Sequence, residues 1–286
     1  MSKIEKALER AMGMRQTIKE SGPGGAEDPV EKQSDRPVFE VGAAVVEPGS
    51  VDRHIICFTD PYSPDAEQYR KLRARILRDT AEGFRNIIMA TSAQAGEGKT
   101  ITAINLAIAI AQEIDHTVLL VDADLRMPSI HKYLGLTVKH GLSDYLKGDA
   151  KLPEVLIKTG IGKLVLLPSG SPMENPAELL SSDRMKGLVQ ELKNRYKDRY
   201  VIFDSSPLLL TADALSLTRY MDGIIMVVQA DRTPQSDAEK ALTLLKSTPV
   251  LGVVFNNVPQ YLSNGLHSYY HYRYGNEKGP DEGKRK

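Results

Sequence analysis

Between residues 86 and 255 the chain alternates short apolar, β-rich runs with stretches of helical period. The runs at 86–91, 117–121, 164–167, 200–203, 223–228 and 250–255 are almost continuously apolar, as strands covered on both faces are. Helical stretches at 100–112, 129–134, 142–146, 176–180, 184–196, 212–218 and 235–246 lie between them. This order predicts an α/β fold, a doubly wound, mostly parallel central sheet with helices on both faces. Ligands of such sheets bind outside the C-terminal strand ends. Upstream, residues 54–59 read as one more short strand, ended by Asp60-Pro61 and Ser63-Pro64.

The flanks have other patterns. A helix over residues 65–81 carries Glu67, Arg70 and Arg73 in steps of three, about 60° apart round the axis, so the three charges share a face. Tyr69, Leu72, Ile76 and Leu77 face elsewhere and pack on the body. By spacing alone the charged face is a solvated one. Residues 2–20 have helical spacing too, with Ile4, Leu8, Ala11, Met12 and Ile18 in a narrow apolar stripe and Ser2 with Glu5 in capping-box form. Residues 21–50 hold Gly22-Pro23-Gly24-Gly25 and few large apolar residues, the composition of a linker. The expected organisation is a helix plus linker over 1–50, one domain over 51–260 and a disordered tail over 261–286.

Composition narrows the function classes. Lys+Arg and Asp+Glu both number 37, which speaks against a broad nucleic-acid surface. One cysteine, Cys57, excludes an intrachain disulfide framework and suits a reducing cytosol. No apolar run approaches the roughly 20 residues of a spanning helix, so a cytoplasmic chain is expected, with any membrane role through a partner. Of 12 tyrosines, Tyr269, Tyr270, Tyr272 and Tyr274 crowd six positions of the tail, with Tyr261 close by. Tyrosines on such a tail are accessible phosphate acceptors or stacking groups.

The candidate chemistry sits at strand ends. Ala93, Gln94, Ala95, Gly96, Glu97, Gly98, Lys99 and Thr100 follow one apolar run and open a helix beginning at Ile101. Strand, glycine-containing loop, Gly-Lys-Thr and helix form a phosphate cradle of backbone N–H groups, with the helix N-terminus adding positive charge. Lys99 would reach the β- and γ-phosphates, and the Thr100 hydroxyl would ligate Mg²⁺ of a bound Mg·ATP. Two further apolar runs end in acids: Asp122-Ala123-Asp124-Leu125-Arg126 and Asp204-Ser205-Ser206-Pro207. Carboxylates there can hold the metal side or accept the proton of a hydroxyl near pKa ~10; Asp122 and Asp204 are the metal-side candidates. Arg126 either supports charge at the γ-phosphate or serves as a structural ion-pair partner.

Over residues 61–259, with a matching tail, the chain resembles the bacterial tyrosine kinases, or BY-kinases, of polysaccharide export systems. The phosphate loop resembles the family's Walker A motif, residues 121–126 with Pro128 its second Walker motif, and Asp204 the end of its Walker B strand; Ser205-Ser206 replaces the usual Thr-Pro. The resemblance implies a P-loop NTPase fold of the deviant-Walker type, ATP and Mg²⁺ as cofactors, and Asn256 near the adenine. It implies autophosphorylation of Tyr261, Tyr269, Tyr270, Tyr272 and Tyr274 in trans, regulating exopolysaccharide polymerisation or export. Glu67, Arg70 and Arg73 match its E-x-x-R-x-x-R pattern, which implies subunit contacts in a ring-like homo-oligomer. The implied partners are a separate membrane-spanning activator, recruiting the chain to the inner face of the plasma membrane, and a counteracting tyrosine phosphatase. The N-terminal helix is similar to that of autokinases in exosortase-associated loci. Partitioning or septum-positioning ATPases share the fold but carry a signature lysine where this chain has Gln94. A non-catalytic, nucleotide-gated scaffold is the other alternative, against which the intact Lys99, Thr100, Asp122, Asp124 and Asp204 argue.

Overall fold

Eight strands form one sheet in the order β1-β4-β5-β3-β6-β2-β7-β8. They span Gly42–Ala43 (β1), Ile87–Ser92 (β2), Thr117–Asp122 (β3), Ile157–Lys158 (β4), Leu164–Leu167 (β5), Arg199–Asp204 (β6), Gly223–Gln229 (β7) and Val250–Asn256 (β8). The structure is a computed structural model and describes residues 42–195 and 198–259. All pairings are parallel except that of β4 with β5. The mostly parallel, doubly wound sheet is the architecture expected from the alternating pattern. The predicted N-terminal helix and the tyrosine tail lie outside the described residues.

Ten α-helices are described: α1 Ile56–Thr59, α2 Pro64–Thr80, α3 Lys99–Ala111, α4 Ile130–Tyr133, α5 Leu142–Lys147, α6 Leu152–Val155, α7 Ala177–Leu180, α8 Asp183–Arg195, α9 Asp213–Thr218 and α10 Gln235–Leu244. The sheet divides the core in two, and strand alternation assigns each side chain to a face. Ile87 and Met89 join Leu188 of α8, Leu217 of α9 and Ala241 of α10 on one face. Ile88 and Ala90 join Ile76 of α2 and the length of α3 on the other. Every residue from Thr102 to Ala111 is buried, so α3 is wrapped on all sides. That enclosure fixes its N-terminus, and the loop before it, against the middle of the sheet.

Residues 54–59 correct an expectation. The apolar run reads as a strand, yet the chain makes a helical turn at α1 because no sheet edge receives it. Its polar backbone is satisfied instead by Asn105, in the middle of α3. The Asn105 side chain accepts from Cys57 N at 2.9 Å and donates to His54 O at 2.9 Å. Burial pushes the Cys57 thiol up to about 12, so it is an inert core group.

α2 lies beside α3 and runs the same way: Tyr69 lies against Thr102 and Asn105, and Arg73 reaches further along to Ala109 and Glu113. The N-terminus of α2 is therefore at the end of the molecule that carries the phosphate loop.

Candidate active site

β2 is buried throughout and delivers the chain to the loop between β6 and β7. The loop's base is stitched to the turn after β6, where Leu208 N donates to Ser92 O at 2.8 Å and Leu209 N to Ala93 O at 3.2 Å. Ala93 is fully buried and is not among the residues with positive φ, so the turn accepts its methyl group where a glycine is usual. Gly96 and Gly98 do lie in the left-handed region, at φ 79° and 90°. A Cβ on Gly98 would also stand 1.9 Å from Asn256 Nδ2.

Asn256, expected near the adenine, holds the loop itself: its Nδ2 donates to Glu97 O at 3.0 Å. Glu97 is buried and folds into the loop. It accepts from Gln94 N at 2.9 Å and from the Thr233 hydroxyl. Gln94 Nε2 donates to Asp237 Oδ2 at 3.2 Å, tying the loop to α10. Gln94, Ala95 and Glu97 face a cavity of about 300 Å³ closed by Leu210, Arg232, Thr233 and Pro234. Ile101 is half-buried in the first turn of α3.

The acids meet the loop on its other side. Asp122 and Asp204 are register partners on β3 and β6. Thr100 Oγ1 donates to Asp204 Oδ2 at 2.7 Å. Lys99 Nζ is folded down among the acids, 3.0 Å from Asp124 Oδ2 and 3.8 Å from Asp204 Oδ1. Asp122 Oδ2 accepts N–H groups from Ser129 and Ile130, both at 3.1 Å. Burial, then the charge of Asp204, pushes Asp122 up to about 8; burial pushes Asp204 up to about 6 despite Lys99 and Thr100. Burial works to lower the Lys99 pKa, but Asp204 and Asp124 outweigh it and raise the value above that of a free lysine.

One oxygen of each register partner, Asp122 Oδ1 and Asp204 Oδ1, is buried without a hydrogen-bond donor. Two such oxygens beside the Thr100 hydroxyl make an all-oxygen set that fits a hard divalent cation. The residues expected at the metal are thus brought together.

Arg126 is not aimed at the loop. It forms a two-pronged pair with Asp213, at 2.5 Å from Nε and 3.2 Å from Nη2, and donates to Glu174 O. Of its two readings, the structure displays the ion pair. Asp213, buried at the start of α9, was not singled out in the sequence, where it is an ordinary first-turn acid. Thr233 was missed as well; its bond to Glu97 exists only once β7 lies beside β2. Glu67, Arg70 and Arg73 sit on α2, apart from the acids, and are engaged within the chain. Arg70 pairs with Glu67 at 2.7 Å and donates to Pro61 O. Arg73 donates to Ala109 O at 3.1 Å and pairs with Glu113 at 2.7 Å. Tyr261, Tyr269, Tyr270, Tyr272 and Tyr274 lie outside the described residues.

Comparison with known proteins bears on this constellation. A family model described as an AAA domain matches residues 85–247. The tyrosine-protein kinase YwqD of Bacillus subtilis is 38% identical over 208 residues, 72% of this chain and 86% of that one. The kinase domain of the Escherichia coli tyrosine kinase ETK superposes with a TM-score of 0.67 at 30% identity, covering 71% of this chain and 80% of that one. The septum site-determining protein MinD of Pyrococcus horikoshii, complexed with Mg-ADP, superposes more loosely, with a TM-score of 0.51 at 26% identity over 63% of this chain and 76% of that one.

Proposed function

Because this chain belongs to the bacterial tyrosine-protein kinases and is an enzyme of that kind, we propose that it transfers the γ-phosphoryl group of ATP to tyrosines of its own C-terminal cluster, in trans. The observation that carries the reading is the meeting of Lys99, Thr100, Asp122, Asp124 and Asp204 at one set of strand ends. The loop between Gln94 and Thr100 supplies backbone donors and the start of α3 for the phosphates. Thr100 and the free oxygens of Asp122 and Asp204 would hold Mg²⁺, which when bound would supply positive charge to the phosphoryl group being transferred.

The chain's own residues divide the remaining work. Lys99 leaves Asp124 and turns to the phosphates, an exchange of one anionic partner for another. That movement uncovers Asp124 Oδ2, which accepts the phenolic proton of the incoming tyrosine. Asp122 and Asp204, more deeply buried, stay on the metal side. Arg126, anchored by Asp213, positions the loop that carries Asp124. Glu97, Thr233 and Asn256 hold the cradle closed before the nucleotide arrives.

The active form is a ring-like assembly in which Glu67, Arg70 and Arg73 contribute to subunit contacts and each tail enters a neighbour's site. A membrane-spanning activator brings it to the inner face of the plasma membrane, where it regulates exopolysaccharide polymerisation or export and a tyrosine phosphatase reverses its modification. Among the described residues no helix is long and apolar enough to cross a membrane. The fold shared with the septum-positioning protein leaves an ATPase of that kind as the rival; Gln94 in place of its signature lysine disfavours it.

The test is incubation with Mg·ATP, with and without the activator, followed by phosphotyrosine detection. Wild type is expected to label and Lys99→Met to lose the label. An unlabelled wild type with activator present, or undiminished labelling of Lys99→Met, would sink the kinase reading.

A further inference from the structure

Tyr62 is the one tyrosine among the described residues that stands in solvent, 90% exposed. Tyr69, Tyr133, Tyr145, Tyr200 and Tyr220 are buried or half-buried, and burial pushes Tyr69 up to about 12. Tyr62 occupies the tip of a fixed turn. Ser63 N and Ser63 Oγ both donate to Asp60 O, at 3.1 and 2.8 Å. The same hydroxyl accepts from Ala66 N at 3.1 Å, capping α2, and Pro64 opens the helix. A phenol held out on a capped, proline-flanked turn loses little freedom when another molecule engages it.

The position also suits what phosphorylation would leave there. α2 has 17 residues, and its N-terminus favours negative charge. The Arg70 guanidinium already reaches this turn through Pro61 O, with its other prong on Glu67. A phosphate of about −1.5 to −2 charge competes well with one carboxylate for an arginine.

Resting on the kinase reading above, we propose that Tyr62 is a second phosphoacceptor of this enzyme, outside the C-terminal cluster, and that Arg70 holds its phosphate at the start of α2. A bond forms between Tyr62 Oη and the γ-phosphorus of ATP. The bond from that phosphorus to the β–γ bridging oxygen breaks, ADP leaves with the electron pair, and the phenolic proton passes to a carboxylate of the acting site and on to solvent. The acting site belongs to a second copy of the chain.

The experiment uses full-length chain carrying Lys99→Met and phenylalanine at Tyr261, Tyr269, Tyr270, Tyr272 and Tyr274 as acceptor, with wild type and Mg·ATP as donor. Phosphate is mapped on the tryptic peptide 54–70, which holds Tyr62 and Tyr69. Phosphate on Tyr62, abolished by Tyr62→Phe, is expected. A phosphorylated tail on the donor with an unmodified 54–70 peptide overturns this inference and leaves the kinase reading standing; absence of phosphotyrosine everywhere overturns both. The ³¹P resonance of the Tyr62 phosphate is expected to titrate at lower pH than the tail phosphates, a difference removed by Arg70→Gln. Identical titration overturns the role of Arg70.

Discussion

Asp122 and Asp204 carry the site's largest electrostatic strain, and it has a sign. Their folded pKa values are raised by burial, to about 8 and about 6, above the roughly 3.9 of an aspartate in water. Between the unfolded and folded values the native state binds more protons than the unfolded chain, so stability falls as pH rises through that window. Without nucleotide and metal, the melting temperature is therefore expected to drop between pH 5 and pH 8, and Mg·ATP to restore it by engaging the ionised pair. Asp204→Asn removes the buried charge; it should raise the metal-free melting temperature more at pH 8 than at pH 5 while abolishing phosphotyrosine formation. A uniform fall at both pH values would refute burial as the cause. Arg126 and Asp213 present the opposite case, a partner pair worth keeping. Asp213→Ala leaves a half-exposed guanidinium without its carboxylate and is expected to cost about 1–3 kcal/mol in urea unfolding, less than for a fully buried pair. On the proposal that the pair positions Asp124 and not the phosphate loop, kcat should fall with the KM for ATP nearly unchanged.

At the scale of elements, the central strands and α3 were legible because their pattern is continuous: six apolar runs with helical stretches between them predict one doubly wound sheet. The two-residue strands β1 and β4 were not legible, since two residues carry no period. Residues 54–59 misled because β-rich composition describes a half-buried surface, and here α3 supplies that surface through Asn105. In the site, strand-end acids could be read from order along the chain. Asp213 and Thr233 could not, because their partners lie 87 and 136 residues away. The same limit applies to α2. Its charged stripe reads as solvated by spacing, yet Arg73 is committed to the last turn of α3. Arg73→Ala is therefore expected to lower the stability of the single chain by about 1 kcal/mol, whatever it does to assembly. Arg70→Ala with Arg73→Ala is expected to run as a monomer in sizing while retaining its circular dichroism. Wild-type assembly by that double variant would confine both arginines to roles within the chain.

At the scale of the whole molecule, the proposed tail phosphorylation and the proposed ring oppose each other. The chain is neutral overall, with 37 basic and 37 acidic residues, so little net repulsion stands against association. Each transferred phosphoryl group adds about −1.5 to −2 charges near neutral pH, and four modified tyrosines put roughly −6 to −8 within six residues of tail. That charge cannot remain beside Asp122, Asp124 and Asp204, which already repel one another in a buried setting. Phosphorylated tails should leave the neighbouring sites, and an assembly held partly by those tails should open. Light scattering on wild type is expected to show mass falling as phosphotyrosine accumulates, and mass returning after phosphatase treatment. The variant with phenylalanine at Tyr261, Tyr269, Tyr270, Tyr272 and Tyr274 should stay assembled under Mg·ATP. If it dissociates to the same extent as wild type, nucleotide turnover or Tyr62, and not tail charge, controls the assembly.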